Sequence, residues 1–163
     1  MKRLIILVAA VTAAFSLGAQ NRKLTLDDVI GGSFYGNSAP SITPMADGES
    51  YLAADGDCIL KYSFKTGAVT DTILNLRTVK GDKPFALGRF ILSPTEDVIL
   101  LEEYVSKIFR RSYTANYYIF TIRNNRAEKL TDGGPVQVPS FSPDGQNIAF
   151  VRDNNIFLVK MLF

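Results

Sequence analysis

A short motif of serine or threonine, proline and a following aspartate recurs along the chain at nearly even spacing. It occurs at Thr43-Pro44, Ser93-Pro94 and Ser142-Pro143, so that the prolines lie 50 and 49 residues apart. Each copy precedes a short apolar stretch of the kind that forms a β-strand. A self-similar unit of about 40–50 residues with several short strands is typical of a β-propeller blade. The repeat therefore predicts an all-β fold built from blades.

The residues at and between these motifs favour tight turns between antiparallel strands. In Ser142-Pro143-Asp144-Gly145, proline presets φ for the second turn position and Gly145 accepts a positive φ. Asp153-Asn154-Asn155 suits a tight hairpin turn. We expect strands near residues 50–54, 58–64, 68–74, 86–92, 97–104, 113–123, 127–131, 137–141, 147–151 and 155–160. Together they make a partial β-propeller of about two and a half four-stranded blades.

This number of blades is too small for a closed propeller, which typically has four to eight. Near the C-terminus, Phe157, Val159 and Phe163 would leave an apolar strand edge unpaired, which native chains avoid. We therefore expect residues 37–163 to be the incomplete propeller region at the N-terminal end of a longer protein.

The first residues have the pattern of a secretory leader. Lys2 and Arg3 precede an apolar run from Leu4 to Leu17, which is shorter than the roughly 20 residues that a membrane helix needs. We expect residues 1–19 to be a signal peptide and the protein to be exported, either to the periplasm or out of the cell. Cleavage after Gly18 and a retained membrane anchor are the alternatives.

Residues 20–36 are predicted to form one short helix and a linker. Thr25 is a favourable N-cap, Asp27 and Asp28 are acids in the first helical turn, and Gly31-Gly32 follows as a stop.

Histidine is absent from the chain, and Cys58 is its only cysteine. Without histidine the chain cannot hold a Ser/His/Asp site or the usual zinc sites. Cys58 cannot form an intrachain disulfide and is most simply a small buried hydrophobe. The net charge of +2 resides in Lys2 and Arg3 of the leader, so the remaining chain is formally neutral, which argues against nucleic acid as a partner. We expect no catalytic residue, metal or cofactor here.

Three motifs that could carry chemistry are incomplete. Gly31-Gly32-Ser33-Phe34-Tyr35-Gly36 misplaces the second glycine of a nucleophile elbow and is better interpreted as a linker. Asp55-Gly56-Asp57 lacks the later ligands of a calcium loop and favours a hairpin turn. Glu102 and Glu103 are neighbours in a predicted strand, so they face opposite sides and cannot share one site. We expect them on a solvated strand face.

The segment Phe109-Arg110-Arg111-Ser112-Tyr113-Thr114-Ala115-Asn116-Tyr117-Tyr118 combines two arginines with four aromatic residues. Taken together with the stretch from Phe141 to Phe157, it resembles the N-terminal propeller of the dipeptidyl peptidase IV group in the prolyl oligopeptidase family of serine peptidases. The resemblance extends from about Leu24 to Phe163.

This resemblance implies an eight-bladed propeller that caps an α/β-hydrolase domain. In that family a serine, an aspartate and a histidine of the hydrolase domain release dipeptides from peptides with proline or alanine in second position. An arginine in the aromatic-Arg-x-Ser-Tyr segment helps to hold the substrate carbonyl, and it corresponds to Arg110. A glutamate pair on a later loop holds the amino group, and Glu102-Glu103, which precede Arg110, are not that pair.

The same resemblance implies that a C-terminal hydrolase domain is missing from this chain, which would be inactive alone, and it allows a homodimer of the complete enzyme. Because neighbouring strand residues alternate faces, we expect only one of Arg110 and Arg111 to point inward. The alternative is a non-catalytic periplasmic propeller, of the Tol-system type, that binds a protein partner. It explains the leader and the Pro-Asp-Gly turn but gives the arginine segment no role.

Overall fold

The computed structural model describes residues 24–32, 36 and 40–161. The predicted signal peptide at residues 1–19, Ser33 of the linker motif and Phe163 lie outside the described residues. The chain divides into two compact units, residues 1–39 and residues 40–163. In the described part of the chain, no helix has both the length and the apolar character needed to cross a membrane.

In the first unit, one short helix, α1, spans Leu26–Ile30. Its N-terminus has a capping box. The Thr25 hydroxyl accepts a hydrogen bond from the Asp28 backbone N–H at 3.2 Å, and the Asp28 carboxylate accepts one from the Thr25 backbone N–H at 3.2 Å. Asp27 and Asp28 also place negative charge at the positive end of the helix. The helix predicted from Thr25 and the two aspartates is therefore confirmed.

The second unit is built from twelve described strands. They are β1 (Ile42–Pro44), β2 (Ser50–Asp55), β3 (Cys58–Ser63), β4 (Val69–Asn75), β5 (Lys80–Gly81), β6 (Phe90–Leu92), β7 (Val98–Lys107), β8 (Tyr113–Thr121), β9 (Arg126–Lys129), β10 (Gln137–Phe141), β11 (Asn147–Arg152) and β12 (Asn155–Lys160). Antiparallel neighbours form three sheets, which we call blade 1 (β1-β2-β3-β4), blade 2 (β6-β7-β8-β9) and blade 3 (β10-β11-β12). The predicted all-β architecture of about two and a half blades is thus confirmed.

The core lies at the two junctions between neighbouring blades. Blade 1 and blade 2 enclose one cluster, which includes Leu52, Ile59, Leu74, Ile99, Leu101 and Phe120. Blade 2 and blade 3 enclose the other, which includes Val98, Leu100, Tyr117, Ile148 and Phe150. Because successive strand residues face opposite sides, the apolar run Val98–Leu101 supplies both clusters. Blade 2 is consequently buried on both faces.

Each blade joins its first two strands by a turn of one design, and these turns define the repeat. The backbone N–H of the first turn residue donates to the carbonyl five residues later, and the residue at the fourth turn position has a positive φ. The first turn residues are Met45, Ser93 and Ser142, which lie 48 and 49 residues apart. The predicted repeat of about 40–50 residues is therefore confirmed, although Pro44 does not correspond to Pro94 and Pro143, because it is the last residue of β1 and pairs with Tyr51.

Carboxylates complete the turns of blades 1 and 3. Asp47 Oδ1 accepts hydrogen bonds from the backbone N–H groups of Glu49 and Ser50, both at 2.9 Å. The bond from Glu49 is the main reason that the pKa of Asp47 falls to about 2. The Ser142 hydroxyl likewise lowers the pKa of Asp144. These turns therefore favour the ionised carboxylates that hold them closed.

Neighbouring turns also touch, which yields a test of blade packing. Gly145 has a φ of +70°, and a Cβ at this position would lie 2.8 Å from the hydroxyl oxygen of Thr95 in the adjacent turn. Gly48 has a similar φ of +68° in blade 1, but a Cβ there would meet nothing within 4 Å.

We expect Gly48→Ala to lower the free energy of unfolding by about 1 kcal/mol, the cost of a left-handed alanine. Gly145→Ala should cost about 1 kcal/mol more, because it also crowds the neighbouring turn. Urea denaturation followed by circular dichroism measures both. Equal losses would mean that the turn of blade 2 relaxes freely around the added methyl group.

Two predicted hairpin turns are confirmed. Asp153 and Asn154, with φ of 50° and 60°, join the paired residues Arg152 and Asn155 as a two-residue turn. Asp55 pairs with Cys58, so the acidic motif there is a hairpin turn as well.

Among the described residues, no group of three or more histidine, cysteine, aspartate or glutamate side chains is placed to hold a metal ion. Cys58 begins β3 and is half-buried, less than the full burial expected.

The link between blades 1 and 2 is fastened to the outer edge of blade 2. Its short strand β5 pairs with β9 in parallel, whereas every other strand pairing is antiparallel among the described residues. The Lys80 backbone N–H donates to the Asn125 carbonyl at 3.0 Å, and the Asn125 amide donates to the Thr78 carbonyl at 3.0 Å. Gly81 is required here, because a Cβ would collide with the Ala127 carbonyl. The segment between blades 1 and 2 thus covers the edge of β9, which would otherwise be open.

Candidate functional site

The longest hairpin of the described residues, β7–β8, extends beyond the neighbouring strands of blade 2. β7 pairs with β8 from Val98 to Lys107, but β6 pairs only with residues 99–101 and β9 only with residues 118–121. The stretch from Glu102 to Tyr117, which we call the arm (residues 102–117), therefore extends beyond β6 and β9, and backbone bonds from outside the hairpin reach only its base, at Glu102, Ala115 and Tyr117. Because a lone pair of strands is marginally stable in water, other contacts must hold the arm in place.

A loop at residues 108–112 closes the arm and carries both arginines of the predicted binding segment. The backbone N–H groups of Ile108 and Phe109 donate to the Ser112 carbonyl at 2.9 and 3.1 Å. Arg110 and Arg111 are both exposed. Neither has an ion pair or a hydrogen bond to any residue that the structure describes. Since neither lies in a strand, strand alternation does not select one of them, and the assignment to Arg110 stays a prediction.

Aromatic side chains accompany the arginines on the arm. Tyr104 is an extra residue in β7, between Glu103, which pairs with Asn116, and Val105, which pairs with Ala115. This extra residue makes a β-bulge. Tyr104 has a φ of 48°, and its side chain is 73% exposed. Phe109 in the loop is 78% exposed. The arm thus presents guanidinium donors and apolar surface together, a combination that suits a peptide ligand.

Glu102 lies at the base of the arm and is buried, with 5% of its surface exposed. Its carboxylate oxygen Oε2 accepts hydrogen bonds from the hydroxyls of Tyr113 at 2.9 Å and Tyr117 at 2.8 Å. The predicted solvated face is therefore wrong for Glu102, because two tyrosine hydroxyls replace water around its carboxylate. Burial and then the hydrogen bond to Glu102 raise the pKa of Tyr117 far above its ordinary value. Tyr117 stays a neutral donor.

Glu103 faces the other side of the arm, as strand alternation predicts. Its carboxylate accepts a hydrogen bond from the Tyr118 hydroxyl at 2.9 Å and another from the backbone N–H of Phe85. Burial, followed by the bond to Glu103, raises the pKa of Tyr118 to about 12. The two glutamates form no joint site. Each instead holds one face of the base of the arm.

Among the open hollows that border blade 2, two differ in the character of their lining. One, of about 540 Å³, lies beside the base of the arm and is lined by Phe85, Leu87, Tyr104 and Val105 among others. The other, of about 340 Å³, has a lining of mixed charge in which Arg126 pairs with Glu128 at 2.9 Å. The charges of the second hollow partly satisfy one another. The hollow beside the base of the arm adds apolar surface next to the arm.

Comparison with known proteins identifies this region. The family model described as "Dipeptidyl peptidase IV (DPP IV) N-terminal region" matches residues 93–162, which contain the whole arm. Human "Prolyl endopeptidase FAP" is 38% identical over 143 residues, a match that covers 84% of this chain and 18% of the human protein. "Probable dipeptidyl-aminopeptidase B" of Ajellomyces dermatitidis is 28% identical over 165 residues, covering 88% of this chain and 18% of that protein.

A solved structure agrees with these sequence matches. The crystal structure of Porphyromonas gingivalis dipeptidyl peptidase 4 superimposes with a TM-score of 0.75 at 33% identity, covering 86% of this chain and 20% of that chain. The chain thus spans about a fifth of the length of the relatives that it matches. From its repeat, its blades and these matches, we conclude that the chain is similar to the N-terminal propeller region of the dipeptidyl peptidase IV family.

Proposed function

We propose that this chain forms the first blades of the propeller of an exported dipeptidyl peptidase, and that its arm helps to bind the peptide substrate. The complete enzyme would be a serine exopeptidase that releases dipeptides with proline or alanine in second position. The observation that carries the proposal is the exposed arginine loop of the arm, which lies inside the matched segment and has no charged partner among the described residues.

Arg110 is the residue to which we assign the substrate contact. A guanidinium is always charged and offers a planar fork of donors, so it can hold a peptide carbonyl or carboxylate. Its position on a projecting loop places these donors away from the packed blades. Arg111 shares the loop and would be a solvated neighbour in this assignment.

The chemistry of bond cleavage belongs to another part of the complete enzyme. This chain contains no histidine, so it cannot complete a Ser/His/Asp triad. The catalytic serine, aspartate and histidine would come from a hydrolase domain, and the propeller would gate access to it. Export through residues 1–19 and a homodimer of the complete enzyme belong to the same proposal. The relatives are named as peptidases, which favours this function over a protein-binding propeller.

The chain alone is expected to have no peptidase activity, because it lacks a nucleophile-activating histidine. Incubation of residues 20–163 with a Gly-Pro chromogenic amide measures this directly. Turnover that a serine-directed inhibitor abolishes would contradict the prediction.

The complementary experiment supplies the rest of an enzyme. In a chimera, residues 40–161 of this chain replace the aligned segment of Porphyromonas gingivalis dipeptidyl peptidase 4. We expect the chimera to cleave the Gly-Pro amide. A chimera that melts cooperatively but leaves the amide intact would contradict the proposed function.

A further inference from the structure

We propose that Glu102 is a positioning residue, which fixes the arm through Tyr113 and Tyr117 so that Arg110 meets the substrate. This inference rests on the proposed function. It assigns a purpose to a buried carboxylate that peptide binding by Arg110 alone does not use.

The arm needs an internal support. Its flanking strands β6 and β9 do not pair with residues 103–117, and a bulge at Tyr104 interrupts β7. On the β8 side, the backbone of Ala115 exchanges two hydrogen bonds with Val136, at 3.0 and 2.8 Å. On the β7 side, backbone bonds from the neighbouring segment end at Glu102. Beyond these points the ladder between β7 and β8 is all that the backbone supplies.

The two tyrosine bonds to Glu102 come from opposite ends of the arm. Tyr117 lies directly opposite Glu102 in the ladder, at the base of the arm. Tyr113 is the first residue of β8, three residues after Arg110, and it pairs with Lys107 at the start of the loop. One carboxylate oxygen therefore connects the base of the arm with the end of its loop. Hydrogen bonds to an ionised carboxylate are about twice as strong as hydrogen bonds between neutral groups. The two tyrosine bonds to Glu102 therefore stabilise the arm.

Glu103 differs from Glu102 in the position of its hydrogen-bond donors. Glu103 accepts from Tyr118 and from Phe85, and both contacts lie at the base of the arm. Neither reaches the loop. The hydroxyls of Tyr113 and Tyr118 therefore make the same kind of bond on the same strand, but only Tyr113 directly follows the loop that carries Arg110. This difference gives a matched pair of variants.

The experiment uses the chimera with the Gly-Pro amide and compares Tyr113→Phe with Tyr118→Phe. We expect Tyr113→Phe to lower kcat/KM by about fivefold to tenfold, mainly through KM, because a misplaced binding group loses much of its effect. Tyr118→Phe should change kcat/KM less than about twofold. Glu102→Gln, which keeps the size of the side chain but removes its charge, should resemble Tyr113→Phe. If this variant does not fold, the two phenylalanine variants still decide the question.

A double variant tests whether Glu102 acts through the arginine. Arg110→Ala combined with Tyr113→Phe should be no worse than Arg110→Ala alone, since the arm then has nothing to position. Additive losses of kcat/KM in the double variant would overturn the proposal. Equal losses from Tyr113→Phe and Tyr118→Phe would overturn it as well. If Arg110→Ala weakens the enzyme but Tyr113→Phe does not, the positioning role is refuted and the proposed function stands. If Arg110→Ala has no effect, the proposed substrate contact itself is refuted.

Discussion

Replacement of Phe120 by alanine is expected to lower the free energy of unfolding by about 3–5 kcal/mol. Phe120 is fully buried, at 0% exposure, in the cluster that blade 2 shares with Leu52 and Ile59 of blade 1. Its removal would leave a cavity at the junction of two blades, because the β-sheets on either side are too rigid to collapse into it. Urea denaturation of residues 20–163, followed by circular dichroism, measures the loss.

Phe109→Ala is the matched control for this experiment. It makes the same chemical change on the same hairpin, but Phe109 is 78% exposed. We expect it to change the free energy of unfolding by no more than about 0.5 kcal/mol. Losses of similar size from the two variants would show that the junction between blades 1 and 2 is loosely packed.

Arg110→Ala in the chimera is expected to lower kcat/KM by about 1.5–3 kcal/mol, or about 10–150-fold. The physical reason is the loss of a charged hydrogen bond to a substrate carbonyl or carboxylate. Steady-state kinetics with the Gly-Pro amide measures the change. Arg111→Ala, on the same loop and with the same loss of charge, should cost much less and is the control.

The reverse result would be equally informative. If Arg111→Ala cripples the chimera and Arg110→Ala does not, the substrate contact is one residue further along the loop. If both variants keep full activity, neither arginine binds substrate and the arm has another role.

Much of the fold could be predicted from the sequence, because its turns are local. The positive φ of Gly145 and the hairpin turn at Asp153-Asn154 follow from a few adjacent residues. Strands β1 and β5 were not predicted. β1 has three residues and ends in proline, and β5 has two residues that pair in parallel with a distant strand. Signals of that length are too weak to separate from turns.

The candidate site was predicted only in part. The aromatic and arginine residues of the arm were predicted as a binding segment from adjacent sequence. The burial of Glu102 was not, because it depends on Tyr113 and Tyr117 returning across the hairpin, 11 and 15 residues later. Two glutamates in sequence look like solvated surface until their partners are known. The usable signal would have been tyrosines at positions 113 and 117, on the same face of one strand.

The parallel strand β5 also bears on the entropy cost of folding this region. Lys80 and Gly81 precede blade 2 in the chain, yet they pair with Arg126 and Ala127 of its last strand. The antiparallel pairings of the blades join consecutive strands, so they close short loops as successive hairpins form. The β5–β9 contact encloses the whole of blade 2 and carries a larger loop-closure entropy. Pairing of β5 with β9 before the hairpins of blade 2 have formed therefore costs more entropy than pairing after them.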